Sequence, residues 1–317
     1  MKQFIASIFV CTLAIWAQDS SASRSTSVDI NGRRVTNGPE VVQTKSSSGA
    51  DVTERVQSVN GRSVPIERIE ERVLRDDASG RVVERVIRSF SPTGDPLPPV
   101  KETIEEQKRS DGGSTIQTTT YRGDINGAMQ LLRKSTTDVQ ISGSAQSVNT
   151  VVQQPTINGS LETVEKRNTV KLKESGDNYR EDSTTYRRDA NGNFVAAVQQ
   201  ATLHTQQGSE ATDQTAQYEI GPDGRLQLHS QTVAKTVKGS DGSMETELNV
   251  FGANVAGTVD PSSKLKLQEQ QLIEKRPGPG NSVVETMSVR HPSVADPNAL
   301  GPARQISETV CRGKCDK

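Results

Sequence analysis

A glycine recurs along this chain at Gly32, Gly61, Gly94, Gly127, Gly159, Gly192, Gly224 and Gly257, with gaps of 32 or 33 residues after a first gap of 29. A second series falls midway, at Gly49, Gly80, Gly112, Gly143, Gly176, Gly208 and Gly242, and less regularly at Gly278 or Gly280. Such regularity means that one supersecondary unit is used about eight times. Each unit must bury its apolar residues against its neighbours.

The residues before the first series say what the unit is. Asp29-Ile30-Asn31-Gly32, Asp124-Ile125-Asn126-Gly127, Asp189-Ala190-Asn191-Gly192 and Gly221-Pro222-Asp223-Gly224 share one form. A short acidic side chain accepts backbone N–H bonds, the third position tolerates helical dihedrals, and glycine takes the left-handed conformation. This predicts a type I turn closed by a glycine bulge, a common hairpin connection. Pro222 suits the first central position because its φ is fixed.

Half a repeat is about 16 residues, and subtracting about four for a turn leaves strands of about 12, roughly 40 Å long. Apolar residues follow the turn glycine by two places at Met129, Leu161, Phe194, Leu226 and Val259. Aromatics precede it by six at Tyr121, Tyr186, Tyr218 and Phe251. These positions read as small hydrophobic clips between neighbouring hairpins. Over Thr163–Glu174, Val164, Val170 and Leu172 alternate with Glu165, Arg167, Thr169, Lys171 and Lys173, so only one face is apolar, and thinly. From Leu226 to Lys238 the phase slips: Leu226 and Leu228 point one way, Val233 and Val237 the other. A bulge or break is expected there.

Composition limits the core. Hydrophobic residues make up 31% of the chain and aromatics 3%, too few for a deep two-layer core. The expected fold is therefore all-β: a repetitive antiparallel hairpin meander of about 16 strands, forming an extended or curved sheet with a thin core. Disorder is the competing account, favoured by low hydrophobicity and opposed by regular turn chemistry. An outer-membrane barrel fits poorly, since a lipid-facing surface needs an apolar band, whereas Lys166 and Arg167 put charge mid-strand on both faces.

Three units, YRGDINGAM from Tyr121, YRRDANGNF from Tyr186 and YEIGPDGRL from Tyr218, resemble the YD-repeat proteins of the rearrangement-hot-spot group. That family's tyrosine, aspartate, glycine and leucine pattern is present in them. The period here is longer, and Thr26 and Gln153 stand where tyrosine is expected. The resemblance implies an open curved sheet built of hairpins.

The ends of the chain suggest its destination. Lys2, the apolar run Phe4–Trp16 and the small polar residues that follow have the layout of a secretory signal peptide, with cleavage after Ala17 or Ala22. Bulky Phe9 and Val10 before Cys11 make a lipoprotein anchor a poor fit. The expected organisation is a signal peptide at 1–17, a flexible leader at 18–27, the repeat array at 28–290, and a Pro-containing linker and tail at 291–317. After cleavage no apolar stretch is long enough to span a membrane as a helix. The chain would then be periplasmic or extracellular. Cys311 and Cys315 would close a small disulfide loop in an oxidising compartment.

Little in the sequence points to chemistry. His204, His229 and His291 are far apart and lack zinc-ligand spacing. No glycine-rich phosphate loop or nucleophile elbow is apparent. The Asp-x-Asn-Gly turns offer oxygen ligands for calcium, yet hairpin capping explains them. Arg122-Gly123-Asp124 and Asn158-Gly159-Ser160 spell an adhesion tripeptide and a glycosylation sequon, and both fall on repeat turns. With 38 basic and 39 acidic residues and no basic stripe, nucleic acid is not an expected partner. No cofactor is expected. The leading expectation is an exported structural or interaction protein meeting a protein or surface glycan. A carrier of apolar molecules and a polysaccharide-acting enzyme are the alternatives.

Overall fold

The computed structural model describes residues 21–28, 34–35, 40–45, 49–59, 62–124, 126–221, 223–252, 265–280, 282–293 and 299–312. They form one antiparallel sheet of 19 strands, without a helix among the described residues. The strands are β1 (Ser21–Val28), β2 (Arg34–Val35), β3 (Glu40–Lys45), β4 (Asp51–Val59), β5 (Arg62–Asp77), β6 (Gly80–Ser89), β7 (Val100–Lys108), β8 (Ser114–Gly123), β9 (Met129–Ser142) and β10 (Ala145–Pro155). There follow β11 (Leu161–Lys173), β12 (Tyr179–Arg188), β13 (Phe194–Gln207), β14 (Glu210–Ile220), β15 (Leu226–Lys238), β16 (Met244–Gly252), β17 (Lys266–Gly278), β18 (Ser282–Arg290) and β19 (Arg304–Arg312). From β3 to β19 each strand pairs with the next, so the chain is the all-β hairpin meander that the glycine period implies.

The turns form for the reason the motif suggests. Asp124 N donates to Ala128 O at 2.9 Å and Gly127 N to Asp124 O at 3.0 Å, and Asp189 and Gly192 repeat the arrangement. The aspartate completes the turn: Asp189 Oδ1 accepts Asn191 N and Asn193 N, each at 2.8 Å. Gly94, Gly127, Gly159, Gly192 and Gly224 of the first series have φ between 75° and 91°. Gly32, Gly61 and Gly257 lie outside the described residues. In the second series Gly280, not Gly278, takes positive φ, at 64°. The two series thus mark opposite rims of the sheet. Some turns on the second rim are tighter: Ser142 stands opposite Ala145, and Gln207 opposite Glu210, leaving two-residue loops at Gly143-Ser144 and Gly208-Ser209.

A bulge recurs near the first rim. It leaves one extra residue on the second strand of the β8–β9, β10–β11, β12–β13, β14–β15, β16–β17 and β18–β19 hairpins. In β15 Leu228 faces Tyr218 and Ser230 faces Gln217, so His229 is the extra residue. This is the phase slip expected between Leu226 and Lys238. In β11 the extra residue is Val164, so it does not continue the apolar row of Val170 and Leu172. A bulge bends its strand and increases the local twist, and repeating it in the same place curves the sheet in one sense.

The array extends past both expected limits. Residues 18–27 were expected as a flexible leader, yet Ser21–Val28 is strand β1; residues 291–317 were expected as linker and tail, yet Arg304–Arg312 is strand β19. Pro292 and Pro302 lie in the connection between β18 and β19 and do not end the array; Pro297 lies outside the described residues. Strand β1 runs antiparallel to β19, with Ala22 opposite Arg312 and Ser27 opposite Ser307. Its other edge meets β2, with Ser27 opposite Val35, and β3, with Ala22 opposite Val42. The pairing therefore runs in a circuit from β3 through β19 and back through β1. Edge strands are what such a sheet must protect, and here the two ends of the meander protect each other.

The core is as thin as the composition requires. Only Ala50, Val52, Val83, Val139 and Val289 are buried apolar residues among the described ones. The accessible surface is 20898 Å². A compact monomer of 34.3 kDa would expose about 13,000 Å². A single layer wetted on both sides contributes to the excess.

Candidate functional site

The register places the aromatic positions on one face near the first rim. Tyr121 stands opposite Leu131, Tyr186 opposite Ala196, Tyr218 opposite Leu228 and Phe251 opposite Leu267, each next to a bulge. Thr184 pairs with Gln199, which pairs with Tyr218, so Tyr186 (two residues beyond Thr184) shares the face of Tyr218. These are the hairpin clips that the spacing implies. Cations cover part of them: Lys166 Nζ lies 4.5 Å from the Phe194 ring centroid, and the Arg188 guanidinium lies 5.3 Å from it. Apolar surface is nevertheless left open along this rim, with Met129 and Ile220 each 43% exposed and Leu161 and Leu228 each 38%. Ile157, at the tip of the β10–β11 turn, is fully exposed.

Polar rows cross both faces in mid-strand, and at the opposite rim Ile141, Leu172, Leu203 and Val237 are exposed apolar residues as well. One row across the sheet reads Thr169, Ser183, Gln200, Gln217, Ser230; a row on the other face reads Asp138, Asn149, Asn168, Thr184, Gln199. Hydroxyls opposite each other bond across the strands at Thr137–Thr150 (2.9 Å), Thr169–Ser183 (2.9 Å), Thr202–Thr215 (3.1 Å) and Thr236–Thr246 (3.0 Å). These pairs recur once per repeat, on one face. They show what the strands use in place of apolar packing.

A side-chain cluster that the sequence reading missed lies near the opposite rim. His204 Nδ1 is 2.7 Å from Asp213 Oδ1, and its ring stacks on Tyr179 with centroids 4.8 Å apart. Lys171 Nζ sits 3.5 Å from the centre of the Tyr179 ring. Burial pushes the Tyr179 phenol above its ordinary range, and the nearby Asp213 and Glu181 carboxylates add to the effect. The signal was present in the turn: counting back from Gly208-Ser209 puts His204 opposite Asp213. The cluster joins four adjacent strands, and the partners of its rings are already in place. It acts as a brace.

The other candidate residues stay apart. His229 Nδ1 is 3.8 Å from Glu219, and His291 Nδ1 is 3.9 Å from Glu269. Among the described residues no group of three His, Cys, Asp or Glu side chains is placed to hold a metal ion. In the Asp124 and Asp189 turns, Oδ1 is already bonded to two backbone amides. Cys311, in β19 opposite Val283, is disulfide-bonded. Cys315 lies outside the described residues.

No family model matches the chain, and no curated protein does. Two solved structures show a distant likeness. A protein of unknown function from Bacteroides fragilis is 11% identical, with a TM-score of 0.26, over 48% of this chain and 92% of that one. A porin-like protein from Bacteroides uniformis is 11% identical, with a TM-score of 0.16, over 77% of this chain and 93% of that one. Neither likeness is close enough to bear on function. The fold itself defines a hairpin-repeat protein: one curved antiparallel sheet crossed by polar rows on both faces, with exposed apolar residues along its rims.

Proposed function

We propose that this chain is an exported structural or interaction protein that meets its partner through the belt at the first rim. The observation that carries this reading is the coincidence, on one face, of exposed Met129, Leu161, Ile220 and Leu228 with the aromatic clips. A partner protein or surface glycan would desolvate these side chains and use the neighbouring cations for orientation. Export is proposed from the apolar run Phe4–Trp16 and its flanks. Carriage of apolar molecules is less well supported, because it needs a continuous apolar strip and polar rows cross both faces.

The test is a triple variant, Leu161→Ser, Ile220→Ser and Leu228→Ser, compared with the unaltered chain in fractionated envelope and medium. We expect the variant to keep its β circular-dichroism spectrum, to melt several degrees lower through loss of the Tyr218–Leu228 clip, and, well below that midpoint, to lose retention on the envelope. Retention equal to that of the unaltered chain would remove the belt from the proposal.

A further inference from the structure

We propose that Asn158 is a site of spontaneous covalent modification, losing ammonia to form a succinimide that opens to aspartate or isoaspartate, while Asn126 and Asn191 in sister turns are protected. In this reaction the backbone nitrogen of the next residue attacks the asparagine Cγ. The N–Cγ bond forms, the Cγ–Nδ2 bond breaks, and the proton of the backbone nitrogen leaves with the ammonia. Water then adds to either carbonyl of the ring, and no other reactant is needed. Glycine obstructs ring closure least, because it has no Cβ.

Three asparagines among the described residues precede glycine: Asn126, Asn158 and Asn191. Each Asn-Gly pair is exposed at the tip of a turn on the first rim. Asn149 and Asn168, by contrast, precede threonine in mid-strand, and Asn249 precedes valine. Their branched successors hinder the attack.

The backbone is alike in the three turns. Gly127 N donates to Asp124 O at 3.0 Å, Gly159 N to Thr156 O at 2.9 Å and Gly192 N to Asp189 O at 3.0 Å. Each turn must therefore open before its glycine nitrogen can attack. What differs is the residue two places before the asparagine. Asp124 Oδ1 accepts Asn126 N and Ala128 N, and Asp189 Oδ1 accepts Asn191 N and Asn193 N, each at 2.8 Å. The carboxylate thus holds the amides on both sides of the reacting nitrogen. It resists opening, and its charge opposes the loss of the glycine proton that precedes attack. In the third turn Thr156 takes that place, and its hydroxyl pairs with Ser160 Oγ at 2.8 Å. That pair is neutral. A unit charge a few ångströms from a forming anion slows such a step about fivefold in water.

Either product alters the first rim. Aspartate adds a negative charge beside exposed Ile157 and Leu161, and isoaspartate inserts a CH2 into the backbone of the turn. The inference does not depend on what the rim binds.

The experiment holds the full chain at mildly alkaline pH and follows the three sites by peptide mapping. Conversion adds about one dalton, and isoaspartate elutes apart from aspartate. We expect Asn158 to convert about fivefold faster than Asn126 or Asn191, and Thr156→Asp to bring Asn158 down to their rate. Asp189→Ser, which gives its turn a neutral hydroxyl instead, should speed Asn191 by a similar factor. Equal rates at the three sites of the unaltered chain would overturn the proposal, as would an Asn158 rate that Thr156→Asp leaves unmoved. The comparison within the unaltered chain stands whether or not either variant folds.

Discussion

Asp189 Oδ1 accepts two backbone amides, and with Gly192 at φ 83° it closes its turn without help from the rest of the molecule. Asp189→Ala leaves both amides to water and should cost about 1 kcal/mol, while Asp189→Asn, which keeps an acceptor, should cost less. Urea melts of the two variants against the unaltered chain check the order. On the opposite rim Arg109 bonds to Asp138 and, with Gln140 assisting, holds its carboxyl below the ordinary value of 3.8. Asp77 and Asp241 are lowered too, chiefly by the hydroxyls of Ser79 and Ser243. A carboxyl depressed in the fold favours the charged form there. Its contribution is present above the unfolded value and is lost as pH falls through the folded one. The melting midpoint should therefore drop as pH is lowered below about 4. Asp138→Asn should flatten that acid limb, and thermal melts from pH 2 to 6 would show whether it does.

Among the elements, the bulged strand is the part that sets geometry. His229 lets Leu226 and Leu228 share a face with Tyr218 while Val233 keeps its place farther along β15. Deleting His229 would restore a strict period of two and turn Leu226 and Leu228 to the other face, breaking the Tyr218–Leu228 clip. We expect the melting midpoint to fall by several degrees, with a spectrum that stays β. An unchanged midpoint would mean that the bulge is dispensable. The hydroxyl pairs, by contrast, are individually modest. Their regular placement gives neighbouring hairpins a common register where apolar residues are too few to do so.

At the scale of the whole molecule, the circuit of pairing ties the two ends of the chain together, and this bears on maturation. Cleavage after Ala22 would remove Ser21 and Ala22, which face Gln43 and Val42 of β3, whereas cleavage after Ala17 would spare them. If the chain is exported as proposed, we therefore expect it to begin at Gln18, which mass spectrometry of the mature protein would show. A chain beginning at Ser23 should melt at a lower temperature and self-associate more readily, because part of β3 then lacks its neighbour.

Turns, strand lengths, the hairpin order and the thinness of the core were legible in the sequence because each depends on residues within one repeat. Asp189 meets its amides two and four residues away, and the spacing of Tyr186 from Gly192 sets the clip whatever the other repeats do. His204 and Asp213 were legible in principle, being symmetric about Gly208-Ser209, but a lone histidine gave no reason to look across that turn. Tertiary structure alone decided that Ser21–Val28 is a strand and that Arg304–Arg312 extends the array. Arg304–Arg312 carries no glycine signal and Ser21–Val28 only the single turn glycine Gly32 that follows it; beside its neighbours in sequence, each gains a ladder from the other, about 280 residues away. The curvature that brings those ends together accumulates from a bulge in many hairpins. Each bulge is local, but the meeting of β1 with β19 is a property of their sum.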